Sequence, residues 1–84
     1  MTIPTFNIKN VADVEKFFMW LKDNDILLHP DDGFTWLVDF AEEEGEIPCI
    51  TREQGTYLDD VMDKCFEVCE DSNADIYELS PFNV

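Results

Sequence analysis

Basic residues are scarce. Five Lys and Arg stand against twenty Asp and Glu in 84 residues, a formal charge of -15 at pH 7. Nucleic-acid and anionic-membrane binders need a basic face, so this balance argues against both classes. Glycine is also rare, at three. The three stand ten or more residues apart, so neither a Gly-rich phosphate loop nor a G-x-S-x-G nucleophile turn is present. Three cysteines do not close a disulfide framework. No stretch approaches the roughly 18 apolar residues of a membrane span. Residues 1–10 hold one Lys and no long apolar run, which predicts no secretory leader and a reducing, cytoplasmic setting. Repeats, low-complexity tracts and linkers are missing too.

What is present is a core. Apolar residues make up 45% and aromatics 13%, which separates the chain from disordered acidic tails. The length fits one domain, residues 1–84, with a thin core. Charge is uneven along it. Residues 1–22 carry a net +1, and residues 23–84 carry a net -16.

The apolar spacing predicts three helices. Asn10 reads as an N-cap, with Asp13 three residues on as a short version of the capping-box acid. The first helix then runs over Val11–Asp23, with Val14, Phe17, Phe18 and Leu21 sharing a face with Val11. Asn24 and Asp25 end it. Pro30 followed by Asp31 and Asp32 predicts the start of the second helix. Phe34, Leu37, Val38 and Ala41 form its inner stripe, and Glu42, Glu43, Glu44 and Gly45 close it. A strand competes over residues 34–40, because Phe34, Trp36, Val38 and Phe40 also alternate. Thr51 and Gln54 form a capping box for the third helix, Arg52–Asp71. Its inner arc is Leu58, Val61, Met62, Cys65, Phe66, Val68 and Cys69. Gly55 weakens its first turn by about 1 kcal/mol relative to Ala. Residues 5–9 alternate loosely and predict a short strand. Residues after Asn73, with Ile76, Tyr77 and Leu79, would lie back over the helices or pair with that strand. The expected fold is therefore mainly α: a small three-helix domain with short extended termini. The alternative is α+β with a minor two- or three-stranded sheet.

Chemistry-bearing clusters are weak. Cys65 and Cys69 share a helix face, and Cys49 and His29 would complete a four-ligand zinc set. The tight C-x2-4-C spacing of structural zinc sites is missing, and both helical cysteines fall on the apolar arc. Asp71, Asn73 and Asp75 match the opening of a calcium loop. Ile76 stands where its Gly should be and Phe82 where its Glu should be. Asp23 and Asp25 fail in the same way. His29 is the single histidine and has no nucleophile in a fixed sequence relation to it. The expectation is no catalytic residue, no metal and no cofactor, and hence no enzyme.

Two surfaces remain. Trp20 lies outside the stripe of the first helix, and Trp36 and Phe40 lie about 100° or more from the stripe of the second. Either connecting segments cover these rings, or they form a ridge that meets a protein partner or a second copy. Opposite the inner arc of the third helix lie Asp59, Asp60, Asp63, Glu67, Glu70 and Asp71. Six acids along about 18 Å of helix give roughly one charge per 3 Å, close to the 3.4 Å of one DNA strand. The expected function is a non-catalytic interaction or adaptor module. The alternative is a nucleic-acid mimic that inhibits a DNA- or RNA-binding protein.

Overall fold

The structure, a computed structural model, describes residues 2–26 and 30–80. It is mainly helical: α1 is Val11–Asp23, α2 is Phe34–Glu43, α3 is Arg52–Asp71, and α4 is the single turn Ile76–Leu79. The long helix α3 is the central element. Both α1 and α2 pack on it, and α4 closes over α1 and α3. No described helix is long and apolar enough to cross a membrane.

Local chemistry explains both ends of α1 and α3. The Asn10 side chain accepts from the Asp13 N–H at 3.0 Å, and the Asp13 carboxylate reaches back to the Lys9 N–H at 3.0 Å. At α3 the reciprocal capping box is complete: Gln54 N–H to Thr51 Oγ1, and Thr51 N–H to Gln54 Oε1. The inner stripe of α1 buries Val14, Phe17, Phe18 and Leu21. On α3 the expected arc is buried, with Phe66 only half-buried at its edge.

Every long helix ends in a Schellman turn. The closing residues Asp25, Gly45 and Asn73 have φ of 57°, 76° and 57°. Their N–H groups bond the carbonyls of Lys22, Glu42 and Glu70, and the next N–H in each case reaches Leu21, Ala41 or Cys69. Two of the three left-handed positions thus carry a side chain that disfavours them. Asp25→Gly and Asn73→Gly are each expected to raise stability by about 0.5–1 kcal/mol, or roughly 2–8 °C in the thermal midpoint. Gly45→Ala should lower stability by about 1 kcal/mol through its backbone alone, because nothing lies within 4 Å of the added carbon. Calorimetry of the three variants checks all three signs, and a destabilised Asp25→Gly would refute the account.

Two sequence expectations need correction. The second helix begins at Phe34, after Pro30, Asp31 and Asp32 have formed a turn. Its N-cap, Gly33, has no side chain to offer. The cap comes from α3 instead, through Asp59 (below). Over residues 34–40 the helix is realised and the alternating strand is not. No strand occurs among the described residues. The segment expected as a strand over residues 5–9 reaches the core singly: Ile8 is buried, Phe6 packs edge-on against Phe17 at 4.8 Å, and the Phe6 N–H donates to the Tyr57 hydroxyl. The tail has no strand to pair with. Asp75 accepts from the Tyr77 N–H and starts α4, which buries Ile76.

Candidate functional site

The exposed side of α2 is the candidate interaction surface. Phe34 and Val38 are fully buried against α3 and the core. Trp36 and Phe40, four residues apart, sit on the opposite side at 49% and 47% exposure. Their rings stack, with centroids 5.3 Å apart and planes 24° apart. Stacking favours the rotamers in which the rings meet, which lowers the entropy lost on binding.

Acids frame the pair. At 100° per residue, Glu43 lies about 20° from Trp36, Glu44 about 40° from Phe40, and Asp39 about 60° from Trp36. All three are exposed. Arg52, from the first turn of α3, holds Asp39 at 2.6 Å and Glu42 at 3.2 Å. Its hydrogen bond to Asp39 and the charges of both acids raise its pKa above the ordinary arginine value. Glu43, Glu44 and Glu46 form no ion pair among the described residues.

The third expected ridge residue lies elsewhere. Trp20 is half-buried on α1, edge-on to Phe6 at 5.3 Å. Among the described residues no ring contact joins it to Trp36 or Phe40. The N-terminal segment therefore supplies the cover that helix spacing alone does not show.

The acidic side of α3 is also divided. Asp60, Asp63, Glu67, Glu70 and Asp71 are exposed, with the Lys64 ammonium 3.5 Å from Glu67. Asp59 is half-buried and engaged. Its carboxylate accepts from the Phe34 N–H at 2.6 Å, the Thr35 N–H at 3.3 Å and the Thr35 hydroxyl at 3.0 Å. The helix with no capping side chain of its own is thus capped from a residue 25 positions later. One sequence signal points to this contact. Gly55 lies one turn before Asp59, and a Cβ there would stand 3.4 Å from the Phe34 carbonyl and the Thr35 nitrogen. A small residue in a helix start marks a backbone passing close by.

Of the remaining candidates, Cys65, Cys69, Asn73 and Asp75 have structural roles. Cys65 and Cys69 are buried, and burial pushes the Cys65 thiol up to about 12. That thiol stays protonated at neutral pH and is a poor nucleophile or ligand. Cys49 is exposed in the loop after α2. His29 lies outside the described residues, as does Phe82. Asn73 closes α3 and Asp75 caps α4, which accounts for two residues of the calcium-like pattern. The cleft beside the start of α2, about 310 Å³, is walled by Asp31, Asp32, Asp59 and Asp63. Among the described residues its lining includes no histidine, cysteine or hydroxyl side chain. The Tyr77 hydroxyl donates to Asp31 at 2.7 Å and ties α4 to the same rim. No known protein family, curated protein or solved structure matches this chain.

Proposed function

We propose that this protein is a non-catalytic interaction module that engages a protein partner through Trp36 and Phe40 on α2. The observation that carries this reading is the stacked pair itself. Two of the largest apolar side chains stack on each other, nearly half exposed, on a helix whose other side buries Phe34 and Val38. Scattered surface apolar residues are ordinary, but preformed aromatic pairs match the anchors that dominate binding interfaces.

The test is affinity capture from the protein's own cells, washed at low and then high salt. The apolar share of binding through the rings persists at high salt, because apolar burial is not screened. Trp36→Ala with Phe40→Ala should weaken capture at least about thirtyfold, the loss of a pair of anchor residues. Both side chains are exposed, so the fold should persist. Trp20→Phe should leave capture intact. Light scattering reports whether the partner is a second copy, at twice 9.8 kDa.

A second reading, nucleic-acid mimicry, draws on Asp60, Asp63, Glu67, Glu70 and Asp71, all exposed on α3. Under it, capture collapses in salt, competes with DNA and fails when Asp60, Asp63 and Glu67 are reversed. Capture that ignores the ring variants and follows those reversals would overturn the first reading.

A further inference from the structure

We infer that the surface formed by Trp36 and Phe40 takes a cationic amphipathic segment of another protein, rather than a second copy of this chain. The inference rests on the reading of that pair as the contact surface and names the chemistry of what covers it. An apolar side chain would lie on the stacked rings, and Lys or Arg side chains would meet Glu43, Glu44 and Asp39.

Three observations lead there. First, the charge around the rings has one sign. Between residues 36 and 47 there are five acids and no base. The one cation that reaches them, Arg52, meets Asp39 and Glu42 and leaves Glu43, Glu44 and Glu46 without an ion pair among the described residues. Secondly, those acids stand where helix physics disfavours them. The C-terminal end of a helix carries partial negative charge, and cations stabilise it. The last turn of α2 carries Glu42 and Glu43, with Glu44 at the cap, and holds no base. A partner's ammonium or guanidinium groups would relieve this. Arg52 shows within the chain how a guanidinium from a neighbouring helix sits on α2, 2.6 Å from Asp39. Thirdly, the same charge disfavours the other occupants. A second copy would bring another -15, and nucleic acids and anionic membranes are repelled. The outer ring faces also suit a cation directly.

The probes are a synthetic Leu–Lys amphipathic peptide and its Leu–Glu counterpart, labelled for fluorescence anisotropy at physiological salt. The Leu–Lys peptide should bind and the Leu–Glu peptide should not. Glu43→Lys with Glu44→Lys should weaken Leu–Lys binding about tenfold or more. This reversal improves the helix terminus, so the loss cannot be ascribed to unfolding. Asp60→Lys with Asp63→Lys changes the net charge equally on α3. Screening should hold its effect to about threefold or less. Trp36→Ala with Phe40→Ala should weaken binding about tenfold or more. Equal losses from the two reversals would make the protein a general polyanion and overturn the inference, as would binding of Leu–Glu or failure of Leu–Lys to bind. The two readings fail separately. If the ring variants lose the captured partner but the Glu43 and Glu44 reversal does not, the surface stands and its cationic occupant falls. If the ring variants bind everything as before, the surface itself falls.

Discussion

Met62→Asp is expected to abolish the cooperative fold. Met62 is 5% exposed on the inner face of α3, between Leu58 and Cys65, which are fully buried. A carboxylate there loses its water and finds no cation. The one base within two residues, Lys64, points to Glu67. An unpaired buried charge costs several kcal/mol even when it escapes by taking up a proton. A domain of this size is stable by roughly 5–10 kcal/mol in total. Circular dichroism should therefore show no sharp thermal transition. Asp63→Lys, one residue on, should fold normally. Asp63 is exposed, and the change removes one of twenty acids, so stability should stay within about 0.5 kcal/mol or rise slightly. A folded Met62→Asp beside an unfolded Asp63→Lys would reverse the register of α3.

That contrast was legible in the sequence because α3 is specified locally. Its cap, its 3.6-residue period and its closing Asn73 all lie within the element or within two residues of it. The same holds for α1. What escaped a sequence reading is non-local. Pro30, Asp31 and Asp32 form a sound helix start by local rules. Yet α2 waits until Phe34, where Asp59 meets its first N–H groups. Residues 5–9 alternate like a strand, but Phe6 satisfies its N–H with the Tyr57 hydroxyl, 51 residues away. The candidate site shows the same divide. Trp20, Trp36 and Phe40 are alike on a helical wheel. Only the packed chain shows that Phe6 covers the first and nothing described covers the others. Asp59 and Asp60 both fall in the acidic arc of α3 on a wheel. Packing gives one of them to α2 and the other to solvent.

Asp59→Ala is expected to cost about 2–4 kcal/mol and to loosen α2 selectively. The first N–H groups of a helix have no partner within it. Gly33 supplies none, and the turn is instead held by the Asp59 carboxylate on Phe34 and Thr35. Hydrogen bonds to a charged acceptor contribute about 1.5–3 kcal/mol each, and a buried donor left alone costs a further share. The Phe34 side chain is fully buried, and the hydrogen bonds of this turn are partly shielded from water. The negative charge also faces the positive end of the α2 dipole. Asp59→Asn keeps an acceptor and loses the charge, so it should cost less than Asp59→Ala. Thr35→Val removes only the hydroxyl contact, at about 1 kcal/mol. Asp60→Ala, at an exposed neighbour, should change stability by less than about 0.5 kcal/mol. Hydrogen exchange separates this account from a general loss of stability. In Asp59→Ala the amides of α2 should exchange faster than those of α3, because the lost contact joins the two helices and leaves the cap of α3 untouched. Partner binding should weaken in parallel, since Trp36 and Phe40 ride on α2. If Asp59→Ala unfolds at the same midpoint as Asp60→Ala, or if α2 and α3 exchange together, the cap supplied by α3 is not what holds the site in place.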